Sequence, residues 1–442
     1  MAKPKNRISG VTVRGFKSIC TEQKLDIRPL TILAGANSSG KSSFMQPLLL
    51  LKQTLESSGD PGALLLDGPN VRFTRAEQVL SHLLGQVSTQ EFAVKVALLE
   101  GLSLELVFRQ EEGKGFELSK MIYGAGKETT EITPNITHDD IVKILPQPLK
   151  AMHKELGKGE STGLHWKVER QRCFFVFELV GTQEAKQRIR FGPYGVSPSQ
   201  AFVPFIQGVI HLPGLRGNAR RTYPKTAGGP DFQGTFEQYV ASVIAQWQAN
   251  GGKPELDNLA LALEDMGLTW KVKAEPVDDT QVELKVGRLT RGKRGGAQDL
   301  VSIADVGFGV SQSLPVVVAL IAARPGQLVY LEQPEIHLHP LAQRKLAIVL
   351  CEAVERGVVA VVETHSALLV RELQTLIATR KLDKQDVALH WLQRGEEGET
   401  TVQTADLDDE GAYGDWPEDF DKTELEAEQL YLDSVEARHA GK

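Results

Sequence analysis

Cysteine is scarce in this chain, with only three in 442 residues. Cys20, Cys173 and Cys351 are odd in number, far apart and free of any CxxC spacing. That excludes a disulfide framework and reads as reduced, buried thiols of a cytoplasmic protein. Long apolar runs are lacking too: the longest, Val316–Ala323, falls well short of the roughly 20 residues a membrane helix needs. The opening MAKPKNRISG is polar and basic with no apolar stretch after it, so no signal peptide is expected. Charge of one sign is also missing: 50 Lys+Arg against 57 Asp+Glu leave a net charge of −7. A chain coated in basic residues for grasping nucleic acid is thereby excluded, although a local basic groove is not. The 41 Gly and 21 Pro are no excess for this length, and 41% of residues are apolar. A disordered tether is ruled out, and at roughly 100–200 residues per domain the length allows two or three lobes.

Ile8–Ala34 alternates apolar and polar residues and reads as two or three short strands ending in a Gly-rich turn. A helix is expected over Ser42–Leu55, with Pro47 kinking its second turn. Phe92–Phe108 and Cys173–Val180 read as strands, with a helix near Asp139–Leu156 between them. TFEQYVASVIAQWQ and LDNLALALEDMGL then read as two amphipathic helices, followed by strand text at Trp270–Val286. From Val306 onward strand and helix alternate, the pattern of a parallel α/β sheet. Neither a sustained heptad pattern nor an internal repeat is present.

Gly35-Ala36-Asn37-Ser38-Ser39-Gly40-Lys41-Ser42 fits G-x-x-x-x-G-K-[ST] without deviation. The glycines let backbone N–H groups curl round a β-phosphate, Lys41 reaches the β and γ oxygens, and the Ser42 hydroxyl can ligate Mg²⁺ at a helix N-terminus. Ser43 follows on the same turn. The string sits after a strand ending TILAG and before a helix, as a phosphate loop requires. Downstream, LVYLEQPEIHLHP is an apolar strand ending in Glu332. Its carboxylate, at the tip of a strand expected next to the P-loop strand, can hold the metal through water. VVAVVETHS is another buried strand, and it delivers His365 to the carboxyl end, where open α/β sheets bind ligands.

These segments resemble the ATP-binding-cassette (ABC) ATPases of the RecF, Rad50, structural-maintenance and OLD nuclease type, and most closely bacterial ATPases found in phage-defence loci. The resemblance spans Ile8–Gln53 and Gln298–Leu392. HLPGLRGNARRTYP and the tail YGDWPEDF also look like that subgroup. It implies an α/β P-loop NTPase of the ABC ATPase head type, a mixed sheet flanked by helices with an α+β insertion lobe. The expected division is 1–90 for the first part of the head, 91–295 for the insertion, 296–395 for the rest of the head and 396–442 for a tail.

In such ATPases two protomers sandwich two ATPs, and each P-loop is completed by a signature turn from the other subunit. The matching turn here is Asp305–Gln312, with Gly307, Gly309 and Ser311 as nucleotide contacts. Gly307 stands where the usual signature has serine. A second departure lies at the catalytic strand, where Glu332 is followed by Gln333 instead of the Glu that polarises the attacking water. An amide is a much weaker proton acceptor. Either Glu335 takes over the water or hydrolysis is slow and the ATP-clamped dimer long-lived; the second is the preferred expectation. His337 and His339 are assigned to the turn that communicates across the dimer, not to a metal site, since no third ligand stands nearby.

Gln53 and Gln78 are both candidates for the Q-loop. Arg14 and Lys17 meet phosphate by resemblance, or are solvated surface. The Arg216–Lys225 cluster, with Arg220, Arg221 and Tyr223, either contacts a nucleic-acid backbone or packs between lobes, the latter being preferred. The acidic run Asp406–Glu410 has too little chain around it for a separate nuclease domain. The expectation is a cytoplasmic, Mg²⁺- and ATP-dependent homodimeric switch controlling a separately encoded effector such as a nuclease, in anti-phage defence. Its rivals are a DNA-repair or chromosome-associated ATPase, a transporter subunit and a pseudo-ATPase.

Overall fold

The computed structural model describes residues 6–82, 89–113, 115–145, 147–156, 165–181, 188–189, 197–226, 231–290, 299–414 and 429. The tail segment expected at YGDWPEDF lies largely outside them, beyond Gly414. At the centre is a six-stranded sheet built from β1 (Leu30–Ala34), β2 (Ile210–Leu212), β3 (Leu328–Glu332), β4 (Val359–Thr364), β5 (Val387–Arg394) and β6 (Thr400–Thr404). The order across it is β2-β3-β4-β1-β5-β6. All neighbours run parallel except β5 and β6. Continuous apolar text explains the central strands. LTILA and VAVVET are buried along their whole length, as parallel strands covered on both faces must be.

Successive side chains point to opposite faces. Leu33, Tyr330, Val359 and Val361 join the core beneath α1 (Lys41–Glu56). Ile32, Leu331, Ala360 and Val362 join a second core beneath α2 (Phe308–Ala322), α3 (Pro340–Glu355) and α4 (Ala367–Ala378). α1 is a single element through Pro47 rather than two segments meeting at it. At its far end the fully buried Lys52 ammonium donates to Glu56, to the Gln207 carbonyl at 2.8 Å and to the Phe232 carbonyl at 2.9 Å. This one cation pins the helix to two later segments of chain.

An antiparallel sheet stands against the α1 face, in the order Gln23–Asp26, Ile8–Arg14, Glu91–Leu98, Leu102–Glu111, Gly115–Ala125, Glu128–Ile132. Its pairing of Val13 with Val94 crosses the expected boundary at residue 90. Likewise β2 joins the central sheet from inside the expected 91–295 insertion. The boundaries therefore do not divide sheets, because strand pairing is a long-range choice that local alternation does not encode. Of two smaller sheets, one holds His165–Gln171, Phe174–Val180 and Arg188–Ile189 and the other Tyr223–Pro224, Val272–Pro276, Gln281–Gly287 and Leu300–Ser302; where one helix was expected near 139–156 there are two, His138–Ile144 and Gln147–Leu156. The Val240–Ala249 and Lys253–Asp265 helices match the amphipathic text.

Cys173 and Cys351 are buried and unpaired, and burial pushes the Cys351 thiol up to about 11. Cys20 is only partly buried, contrary to expectation, since it sits in the turn after Ile8–Arg14. Among the described residues no helix is long and apolar enough to cross a membrane.

Candidate nucleotide site

The phosphate loop joins β1 to α1 at the carboxyl edge of the sheet. Gly35 and Gly40 have φ of 147° and 98°, and a Cβ at either would run into the Leu392 carbonyl or the Thr400 side chain. Both positions therefore demand glycine. Gly40 supplies no side chain to cap α1, which leaves the first N–H groups of the helix pointing at the loop. Ser38 is also left-handed, at φ 62°. Lys41 Nζ lies inside the loop, donating to the carbonyls of Gly35 at 2.9 Å and Ala36 at 2.8 Å. Burial lowers its pKa, partly offset by the charges of Glu363 and Glu335. Ser39 Oγ is buried without a partner among the described residues.

A cavity of about 580 Å³ opens above this loop, a size usual for small-molecule sites. Asn37 to Ser43 line it from the loop, with Gln333, Glu363 and His365 arriving from the sheet edge. Lys17, Gln78 and Arg394 also line it. Lys17 Nζ donates to Gln46 Oε1 at 2.6 Å and lies over the Phe73 ring. Arg14 is elsewhere, 3.9 Å from Glu91. Gln53 is buried, its amide bonded to the Leu65 and Val71 carbonyls and to the Asn70 and Val71 N–H groups. Its side chain braces a loop, so of the two glutamines it is Gln78 that faces the cavity.

The strand order corrects one expectation. β3, which carries Glu332, is not the neighbour of the P-loop strand; β4 lies between them. The register sets Glu332 level with Glu363, and Glu363 level with Leu33. It is therefore Glu363 that touches the loop, accepting a bond from Ser42 Oγ at 2.9 Å and another from the Tyr330 hydroxyl. Full burial pushes the Glu363 carboxyl up to about 7, helped by the neighbouring Glu332 charge and opposed by those two hydroxyls and Lys41.

Glu332 is held from the opposite side. His211 Nε2–H donates to its Oε1 at 3.1 Å and the Gly214 N–H to its Oε2 at 3.1 Å. Burial would raise its pKa, but these bonds prevail and leave it below the ordinary value. His211 also stacks on Tyr330, with centroids 5.3 Å apart.

Gln333 adopts φ 44°, its N–H donating to the Glu363 carbonyl at 2.9 Å. Glu335 is turned inward: its Oε1 accepts from the Thr364 hydroxyl at 2.8 Å and the His365 N–H at 2.7 Å, while Oε2 has no partner among the described residues. Desolvation raises its pKa against those bonds. Glu335 thereby fixes the tip of β4 and so the backbone of His365, whose imidazole pKa is lowered first by burial and then by Lys41. His339 accepts from the Leu341 N–H at the start of α3, and His337, at φ 67°, lies 5.7 Å from the Phe308 ring. No cluster of three metal-ligating side chains of the His, Cys, Asp and Glu kinds occurs among the described residues.

The basic segment is largely spent internally. Arg216 is buried, and Arg221 forms a two-point pair with Asp305 at 2.8 and 3.0 Å. Sequence reasoning left this segment between a nucleic-acid contact and packing between lobes, preferring the latter, and named no partners for it. It also passed over Glu363, Tyr330, His211 and Arg394; the available signal was the one acidic residue in the apolar run VVAVVET. The turn at Gly307–Ser311 opens α2, with Ser311 Oγ donating to the Phe308 carbonyl at 3.2 Å. It contributes no wall to the phosphate cavity of its own chain.

Residues 214–371 match the family model described as "AAA domain, putative AbiEii toxin, Type IV TA system". No curated protein matches the chain. Similar solved structures include the Smc head domain with an extended coiled coil, bound to the C-terminal domain of ScpA, from Pyrococcus furiosus. It shows 10% identity and a TM-score of 0.49, over 98% of this chain and 100% of that one. The SMC head domain from Thermotoga maritima shows 10% identity and a TM-score of 0.38, over 91% and 100%. An Smc head with coiled coil and joint from Pyrococcus yayanosii shows 9% and 0.47, over 92% and 98%. With its phosphate loop at the carboxyl edge of a largely parallel sheet, and with the match over 214–371 to an AAA-domain model, the chain has the α/β fold of a P-loop nucleotide-binding protein.

Proposed function

We propose that the chain binds and hydrolyses Mg²⁺·ATP as a dimeric switch, in which ATP clamps two heads together and hydrolysis releases them. The observation that carries this reading is the division of the nucleotide contacts. Lys41, Ser42, Gln333, Glu363 and His365 meet in one cavity, whereas the signature-like turn stands outside it. Gly307 has φ −62°, open to any residue, and a Cβ there would meet open space. Nothing among the described residues requires glycine there, which supports close approach of an outside ligand. Around this turn Phe308, Leu215 and Leu341 are exposed, at 57%, 93% and 49%. Such apolar exposure suits contact with a second copy.

The donor set fits the expected cation. The Ser42 hydroxyl beside a carboxylate at the sheet edge offers the hard oxygen donors that Mg²⁺ takes, and the ion would neutralise charge on the β- and γ-phosphates. The loop N–H groups and Lys41 hold the phosphates, and His365 faces the terminal one. Gln333 orients water without accepting its proton, which favours slow turnover and a persistent clamped dimer. The family description names a toxin of a Type IV toxin–antitoxin system. The further proposal that head movement governs a separately encoded effector in anti-phage defence rests on the resemblance drawn from the sequence.

Light scattering and phosphate release on the full chain test this reading. ATP with Mg²⁺ is expected to convert monomer to dimer, and Gln333→Glu to turn over at least tenfold faster with a shorter-lived dimer. A Gln333→Glu variant no faster than wild type, together with an inactive Glu335→Ala variant, would refute slow hydrolysis through Gln333. A DNA-gripping ATPase gains no support from Arg216 and Arg221, which are already paired within the chain.

A further inference from the structure

We infer that Glu363 is the carboxylate through which this chain holds the magnesium of Mg²⁺·ATP beside Ser42, while Glu332 serves as a positioning residue locked to β2. The inference rests on the nucleotide reading above and assigns the metal side of that site.

Position comes first. Glu363 stands at the carboxyl end of the strand next to the P-loop strand, and its side chain points to the α1 face along with Leu33. It is 2% exposed, in a run otherwise made of Val, Ala and Thr. A strand buried on both faces gains nothing in stability from a carboxylate there. Its oxygens are met by two hydroxyls, those of Ser42 and Tyr330, and not by a cation. The nearby Lys41 spends its ammonium on the Gly35 and Ala36 carbonyls. An anion so placed is stabilised when a hard divalent cation enters beside it, and Ser42 is the P-loop residue whose hydroxyl faces such a cation.

Glu332 has the opposite environment. Each of its oxygens already accepts a bond, from His211 Nε2–H and from the Gly214 N–H. Both donors belong to β2 or the segment after it, on the side away from the P-loop strand. Turning this carboxylate toward Ser42 would break both bonds and leave the buried His211 without its carboxylate. In its observed place Glu332 fixes the start of the segment from Gly214, which reaches the cavity rim through Arg216 and Gln333. Tyr330 stands between the two carboxylates, stacked on His211 and bonded to Glu363, so that movement of one is felt by the other.

The test uses the full chain and a fluorescent ATP analogue, titrated in Mg²⁺ and again in EDTA. Wild type is expected to bind more tightly with Mg²⁺. In Glu363→Gln the ratio of the two dissociation constants should fall at least tenfold, with affinity in EDTA unchanged or improved, because a negative charge near the phosphates is gone. Glu332→Gln should keep the wild-type ratio. Mn²⁺ paramagnetic resonance in the presence of a non-hydrolysable analogue gives a second readout: the bound-ion signal should weaken in Glu363→Gln and persist in Glu332→Gln. Should Glu363→Gln fail to fold, Glu363→Asp decides, since it retains the charge on a shorter arm. It should keep the metal dependence but with a changed Mn²⁺ spectrum, and an unchanged spectrum overturns the inference. A wild-type ratio in Glu363→Gln, or a ratio lost in Glu332→Gln alone, also overturns it. If wild type itself binds no nucleotide under either condition, the nucleotide reading fails instead.

Discussion

Arg216 Nη2 donates to the backbone carbonyl of Gln333 at 3.1 Å. The same guanidinium reaches the Gln312 amide on α2, whose Nε2 in turn donates to the Arg216 carbonyl at 3.3 Å. One buried side chain thus ties the strand-tip turn facing the phosphates to the helix that carries the signature-like turn. Replacing it with an apolar residue leaves the Gln333 carbonyl and the Gln312 amide oxygen without this donor. Arg216→Met is therefore expected to lower stability by roughly 1–3 kcal/mol in urea unfolding, and to weaken ATP-driven dimerisation.

Lys52 makes a separate, purely structural prediction. Its ammonium is fully buried and paired with Glu56, which also accepts the Gly234 N–H at 3.0 Å. Removing one partner of such a pair strands the other charge, at a cost of roughly 3–5 kcal/mol. Lys52→Met should show that loss in urea melts, and a Lys52→Met/Glu56→Leu double variant should recover most of it.

Glycines 40 and 307 should separate by role. A Cβ at Gly40 collides with Thr400 in a left-handed backbone, whereas one at Gly307 meets nothing. Gly40→Ala is expected to depress the melting temperature and abolish nucleotide binding. Gly307→Ala should leave monomer stability within about 0.5 kcal/mol of wild type and reduce only the ATP-dependent dimer, as read by light scattering.

His390 sets an acid-side dependence. Its Nε2–H donates to the Asp26 carbonyl at 2.9 Å and its Nδ1 is 2.9 Å from the Thr404 hydroxyl, so the ring is held neutral. Burial lowers its pKa below the ordinary 6.5, against the partial support of Asp26. The unfolded chain then takes up a proton that the folded chain refuses. Stability from this group is full above pH 6.5 and falls as the pH drops below it, by at most about 1.4 kcal/mol per unit. Urea midpoints at pH 7.5 and 5.5 should draw closer together in His390→Gln than in wild type.

The phosphate loop was legible because its chemistry is local. Glycines at fixed offsets, a lysine and a serine opening a helix state their geometry within eight neighbouring residues. The strands LTILAG, LVYLEQ and VVAVVETH were legible because burial on both faces leaves continuous apolar text. Gln53 and Gln78 could not be told apart because a glutamine beside apolar text looks the same whether it faces a ligand or, as Gln53 does, braces the loop at Leu65 and Val71. For the Arg216–Arg221 cluster, packing between lobes was the preferred reading, but formal charge says nothing of which internal partners it meets.

The residue pattern by itself determined the α/β class, the P-loop and one acidic strand tip, at Glu332. Only the tertiary structure decided which acid meets the loop. Ser42 and Glu363 are 321 positions apart. Their contact depends on β4 taking the place beside β1, which pairing and side-by-side packing settle across the whole sheet and no local spacing records.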